Sequence, residues 1–203
     1  MTCRVFVDVA LVASATVLAL TGGASSAPAG AEPTTGATPT ADAPAPATQQ
    51  LAIGTGAADS WSGYLPDNTT LSPFDTSSQV LALLDPSLLK AIQDAARSAQ
   101  SQGVVITITS GWRSKGFQQR LFDDAVRRYG SVATAQQFVA SPETSRHVVG
   151  EAVDIAGNGA SEWLIRNGAQ FGLCQIYANE NWHFELATDA DGRCPPLRPN
   201  AAG

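Results

Sequence analysis

From residue 85 onward the chain alternates between a three-to-four-residue and a two-residue apolar period. Leu88, Leu89, Ile92, Ala95 and Ala96 recur at helical spacing behind Asp85-Pro86, an N-cap residue followed by a proline at the first helical position, and Gly103 ends the run. The next six residues change period. Val104, Ile106 and Ile108 fall on one face and Val105, Thr107 and Thr109 on the other, which predicts a strand. Phe117, Leu121, Phe122, Ala125 and Val126 form the stripe of a second helix over 116–129, and Ser131 caps a short third helix reaching Phe138. A loop follows to Arg146. Residues 151–156 alternate as a strand with Ala152 and Asp154 on one face, and residues 161–170 are predicted helical around Trp163 and Leu164. Residues 173–177 and 182–186 read as two strands joined by Ala178-Asn179-Glu180-Asn181. Ser60 to Pro73 reads as an irregular arm, and the tail from Asp191, with Pro195, Pro196 and Pro199, as irregular too. Helices alternate with strands, but the last strands are joined by a turn. The expected fold class is therefore α+β, a small, largely antiparallel sheet flanked by helices.

The front of the chain has a different character. Residues 1–31 read as a signal peptide: Arg4, a mostly apolar run from Val5 to Leu20, and the small-x-small pattern Ala29-Gly30-Ala31. A retained membrane anchor is the alternative, against which Asp8 inside a rather short apolar run weighs. Residues 32–57, rich in Pro, Ala and Thr, bury too little apolar surface to offset their chain entropy and are expected to be a disordered tether. That leaves 58–203 as the globular domain. The expected location is secreted or wall-associated, with the membrane involved only if the leading segment stays uncleaved. A net charge of −6, with Lys and Arg unclustered, argues against nucleic acid as a partner. Cys3 lies in the export segment, so Cys174 and Cys194 remain, and in an oxidising compartment they are most simply a disulfide contributing on the order of 3 kcal/mol.

The candidate chemistry lies in one stretch. Both histidines of the chain, His147 and His183, fall between Ser145 and His183, each beside a carboxylate. A catalytic zinc site takes three protein ligands and keeps a position for water. His147, Asp154 and His183 supply that number, Gly150 allows a tight turn between the first two, and Glu180 sits across a turn from His183 as a candidate general base. Each residue also has a simpler reading: a packed histidine, a turn-capping aspartate, a solvated turn glutamate. Their coincidence in two short segments favours the metal.

The same residues carry a resemblance. S-x-H-x-x-G-x-A-x-D over Ser145–Asp154, E-x-W-H over Glu180–His183, and S-G-[YW]-R-S over Ser110–Ser114 resemble the VanY-type D-alanyl-D-alanine carboxypeptidases, zinc D,D-peptidases with a hedgehog-like fold. The resemblance spans roughly 60–190. It implies that His147, Asp154 and His183 bind Zn2+, that Glu180 activates a zinc-bound water, and that Arg113 sits over the substrate and stabilises an oxyanion or a substrate carboxylate. Ser145 is implied to orient substrate or to cap its loop. The implied partner is a peptidoglycan stem peptide ending in D-Ala-D-Ala. One departure is Asn181, where family members often carry proline, which puts the stiffness of the turn bearing Glu180 in question.

Three other readings compete. A non-catalytic zinc or wall-peptide binding module of the same fold is one, and a peptidoglycan endopeptidase is another. The third is a serine D,D-peptidase, from the S-x-x-K match at Ser87–Lys90. The missing K-T-G motif, and the place of Ser87 in the first turn of an amphipathic helix, weigh against it.

Overall fold

The computed structural model describes residues 61–203; the expected signal peptide (1–31) and tether (32–57) lie outside the described residues. In chain order the elements are α1 (Gln79–Ala82), α2 (Pro86–Gln100), β1 (Thr107–Ser110), α3 (Lys115–Tyr129), α4 (Val132–Ala135), β2 (Ala152–Ala156), α5 (Ala160–Asn167), a 3-10 turn (Gly168–Phe171), β3 (Leu173–Gln175) and β4 (His183–Leu186). The strands form one sheet in the order β1-β2-β4-β3, with every pairing antiparallel. The α+β expectation, an antiparallel sheet flanked by helices, holds.

Period-two alternation gives this sheet two unlike faces. Ile108, Val153, Ile155, Leu173 and Phe184 are buried in the main core with Leu88, Ile92, Ala95 and Ala99 of α2 and Trp163 and Leu164 of α5. The intervening residues of the two central strands, Ala152 and Asp154 on β2 and His183 and Glu185 on β4, face the other way, with Asp154 opposite His183 and Ala152 opposite Glu185. A smaller cluster of Phe122, Ala125 and Ala135 joins α3 to α4.

Local signals explain most boundaries. Asp85 accepts from the N–H groups of Ser87 and Leu88, capping α2. The helix closes in a Schellman arrangement, with Gly103 at φ 79°, its N–H bonded to Gln100 O, and the Val104 N–H bonded to Ala99 O. That last bond commits Val104 to the helix end, so the strand expected from Val104 starts at Thr107, although Ile106 still reaches the core. Ser114 caps α3 through Phe117 N–H, and Ser131 caps α4 through Thr134 N–H. The helix after Ser131 is shorter than expected: beyond Ala135 the chain tightens into turns, and Phe138 leaves to stack on Tyr129 at 4.4 Å. Helix α5 likewise ends at Asn167, whose side chain donates to the Trp163 carbonyl, and a 3-10 turn replaces the last helical turn expected to Gln170.

At the far edge, Ile176 and Tyr177 leave the expected strand because the tail returns to them. Arg198 N–H bonds Ile176 O at 2.9 Å and Ala178 N–H bonds Arg198 O at 2.8 Å. Cys174 and Cys194 are disulfide-bonded, as expected, tying β3 to that tail across a sequence separation of 20. The constraint on the unfolded chain predicts that replacing both cysteines with serine lowers the unfolding free energy by about 3 kcal/mol, read as a reduced urea midpoint with a raised m-value, because the unfolded chain becomes less compact.

Candidate metal centre

The site lies on the sheet face opposite the core, at the floor of a cleft of about 920 Å3. Asp154 and His183 are cross-strand partners on β2 and β4, which brings their side chains together by register alone. His147 arrives from the loop before β2. That loop turns at Gly150, at φ 76°, where a Cβ would lie 2.4 Å from the Leu83 carbonyl oxygen; the close approach is secured by Asp85 N–H donating to Gly150 O at 2.9 Å. A bulge in β1 between Ile108 and Ser110 sets the third side of the site. There the Thr109 hydroxyl donates to the Asp154 backbone carbonyl at 3.2 Å, and Ser110 turns its hydroxyl to Arg113.

Three atoms converge. Asp154 Oδ1 is 3.2 Å from His183 Nδ1 and 3.3 Å from His147 Nε2, and the two imidazole nitrogens are 3.3 Å apart. All three side chains are buried. The opposite ring nitrogens are occupied: His147 Nδ1 faces the Gly111 carbonyl at 2.7 Å, and His183 Nε2 faces Glu185 Oε1 at 2.9 Å. A carbonyl and a carboxylate only accept, so each ring places an N–H there, which leaves its inward nitrogen as the one able to present a lone pair to an ion. Two imidazole nitrogens and a carboxylate oxygen facing one another in a buried space need a proton or a metal ion shared among them. Ligands at zinc distances of 2.0–2.1 Å span tetrahedral edges of about 3.3 Å, so this donor set fits zinc in kind, number and spacing.

Asp154 is held from its other oxygen. Arg113 donates from one terminal nitrogen to Asp154 Oδ2 at 2.6 Å, from the other to Gln118 Oε1 at 3.1 Å, and from Nε to Ser110 Oγ at 2.7 Å. Gln118, buried on α3, passes its own N–H to Ala140 O at 2.8 Å. Burial pushes the Asp154 carboxyl up, but the two histidines and Arg113 outweigh it and hold the group well below the usual range. Burial and the Arg113 charge lower His147. His183 goes the other way: burial lowers it, but the hydrogen bonds to Asp154 and Glu185 prevail and raise it to about 9.

Glu180 stands beside this cluster, Oε2 3.9 Å from His183 Nδ1. Burial, reinforced by the Asp154 charge, raises its carboxyl to about 7. The stiffness that Asn181 put in question comes from hydrogen bonds. Glu180 N–H reaches Tyr177 O at 3.3 Å, His183 N–H reaches Glu180 O at 3.3 Å, and the Asn179 side chain donates to Gln137 O at 2.9 Å.

The structure thus brings together His147, Asp154, His183, Glu180 and Arg113, with Ser145 buried in the cleft wall beside them. It also adds residues that sequence reasoning missed. Gly111 holds His147 through its carbonyl and is pressed so close to Val80 O that a Cβ would lie 2.4 Å away. Tyr177 covers the His183 ring at 5.1 Å. Glu185 was signalled only by its two-residue spacing from His183 on a strand. The S-x-x-K stretch lies elsewhere, on α2, where Lys90 pairs with Asp94 at 2.6 Å.

A buried His-Asp-His cluster with a neighbouring carboxylate, in a cleft, offers the residue types and number that could hold a metal ion. The sequence pattern of the VanY family, described as D-alanyl-D-alanine carboxypeptidase, matches residues 82–189, and the chain belongs to that family. A D-alanyl-D-alanine carboxypeptidase of Enterococcus faecalis (strain ATCC 700802 / V583) is 32% identical over 118 residues, 46% of this chain and 44% of the relative, so the chain spans less than half of that protein's length. Among solved structures, a vancomycin-resistance D,D-pentapeptidase VanY, an alanine mutant in complex with Zn(II), is 31% identical, with a TM-score of 0.47, 50% of this chain and 71% of that one being covered. VanYB in complex with D-alanine-D-alanine is 29% identical, with a TM-score of 0.47, covering 50% and 70%.

The shifts fix a pH dependence for the chelator-treated protein. The His183 value is raised from 6.5 to about 9, so its contribution is fully present below pH 6.5 and is lost as pH rises through about 9. Glu180, raised from 4.5 to about 7, acts in the same direction at lower pH. Stability of the metal-free protein is expected to fall by on the order of 3 kcal/mol between pH 6.5 and 10. Urea midpoints across that range check it, and His183→Gln is expected to flatten the alkaline decline.

Proposed function

We propose that the chain is an exported zinc metallopeptidase that hydrolyses the terminal D-Ala-D-Ala bond of peptidoglycan stem peptides. The observation that carries this reading is the convergence of His147 Nε2, His183 Nδ1 and Asp154 Oδ1 at 3.2–3.3 Å beside Glu180. Membership of the VanY family supplies the substrate class. The first 31 residues supply the export reading, and residues 32–57 the tether that spaces the domain from its point of attachment or exit.

His147, Asp154 and His183 hold the ion. Zinc, when bound, lowers the pKa of a coordinated water and polarises the carbonyl under attack. Glu180 takes the proton from the attacking water at its carboxylate and returns it to the departing amine of the terminal D-Ala. A carboxyl raised to about 7 suits both transfers, because neither protonation state is strongly disfavoured near neutral pH. Arg113 does two things. Three of its N–H groups are spent on Asp154, Gln118 and Ser110, so it first orients the metal-binding carboxylate. A guanidinium carries five N–H donors, and the remaining two serve substrate oxygen in the cleft. Ser145, in the cleft wall, supplies a further hydroxyl to the substrate.

The decisive measurement is the mass of products from defined muramyl pentapeptides. The zinc-loaded parent is expected to release D-Ala and leave a tetrapeptide. Glu180→Ala is expected to lower that rate by about 10^3-fold with zinc retained. Equal, negligible release by parent and variant, both holding zinc, overturns the peptidase reading in favour of a binding module. Cleavage of cross-linked dimers without D-Ala release replaces carboxypeptidase with endopeptidase. A chelator is expected to abolish release and a β-lactam to leave it unchanged, the reverse of a serine peptidase. Arg113→Lys keeps the charge but loses the planar fork, and is expected to cost about 100-fold in kcat and to weaken zinc binding through Asp154.

A further inference from the structure

We propose that Glu185 is a positioning residue for the metal centre: it fixes His183 in the tautomer that presents Nδ1 to the ion, with Arg146 supporting the carboxylate from outside. This rests on the reading of His147, Asp154 and His183 as a metal site.

The sheet builds the arrangement. His183 and Glu185 are two residues apart on β4 and share a face, while Phe184 between them is fully buried in the core. Rotating the strand to release Glu185 would expel Phe184, so the spacing is locked by packing. Glu185 is itself bracketed, opposite Ala152 on β2 and opposite Cys174 on β3. The Cys174–Cys194 disulfide ties that flanking strand to the tail.

Glu185 is 8% exposed, its Oε1 lies 2.9 Å from His183 Nε2, and its Oε2 lies 3.6 Å from Arg146 Nε. Arg146 also pairs with Glu151 at 2.8 Å. A buried carboxylate on the edge of an imidazole accepts the ring N–H and cannot donate while ionised, so the proton stays on Nε2 and the lone pair on Nδ1. The negative charge also makes Nδ1 a stronger donor. His147 has a weaker version of the same support, the neutral Gly111 carbonyl at 2.7 Å. The two imidazoles are therefore unequal ligands, and His183 carries more of the affinity.

The test compares parent, Glu185→Gln and Glu185→Leu for zinc affinity, by competition with a chromophoric chelator, and for the His183 Nε2–H resonance of the zinc-loaded protein by NMR. Parent is expected to show a slowly exchanging Nε2–H. Glu185→Leu is expected to bind zinc 10–100-fold more weakly and to lose protection of that proton. Glu185→Gln retains an acceptor oxygen without the charge, and is expected to keep the resonance while binding severalfold more weakly than parent. If Glu185→Leu does not fold, the glutamine variant decides by its zinc affinity. Zinc affinity within twofold of parent in the folded variants, or an unchanged Nε2–H resonance in Glu185→Leu, overturns the inference while leaving the metal site standing. A parent that binds no zinc overturns the metal reading, and this inference with it.

Discussion

Three acceptors held against one another in a buried space are the constraint on which this domain turns. Asp154 Oδ1, His147 Nε2 and His183 Nδ1 approach to 3.2–3.3 Å, a contact that repels unless a proton or a metal ion is shared among them. Something must force the approach. On the outer side of each ligand a fixed partner does so: the Gly111 carbonyl for His147, Glu185 for His183 and Arg113 for Asp154. The sheet register then places Asp154 opposite His183 without loop closure, and only His147 has to be delivered by a turn. The tight glycines are explained in the same way. Gly150 and Gly111 stand where the delivering segments press against the backbone of residues 80–83, and a side chain at either would lift His147 or its partner away.

Much of this was legible in the sequence because the relevant signals are local. Asp85-Pro86, Ser114 and Ser131 are capping residues acting on N–H groups two or three positions away, and the alternation of Ala152, Val153, Asp154 and Ile155 states which side chains share a face. The three metal-binding candidates could be collected from residue chemistry and spacing. What stayed hidden is non-local. That Tyr177 pairs with Arg198, shortening β3, depends on a tail 21 residues away (198 − 177), and nothing in residues 173–177 announces it. The start of β1 shifted because Val104 was claimed by the end of α2, a competition between two correct local readings. The four-residue helix α1 is too short to show a period.

Arg113 illustrates the same limit at the site. A conspicuous arginine after a strand invites a role toward substrate. The structure shows most of its donors directed inward, to Asp154, Ser110 and Gln118, and Gln118 in turn to Ala140 O. The β1 bulge makes this possible, because it lets Thr109 and Ser110 both contribute hydroxyls on the cleft side. A bulge has no sequence signature in T-I-T-S, so the inward duty of Arg113 was unreadable before the pairing was known.

Charge pairing separates the carboxylates near the site into two kinds. Asp154 has Arg113 at 2.6 Å, and Glu185 has Arg146 at 3.6 Å, so the two negative groups that shape the ligands each sit beside a fixed positive one. Glu180 has instead an imidazole as its ion-pair neighbour, at 3.9 Å, and burial lifts its carboxyl to about 7. The two paired carboxylates are held in position by their arginines. A carboxylate poised near neutrality can change protonation state at little cost, which is what a group that accepts and returns a proton must do. The acids of this region therefore differ in whether an arginine or an imidazole is their direct ion-pair neighbour.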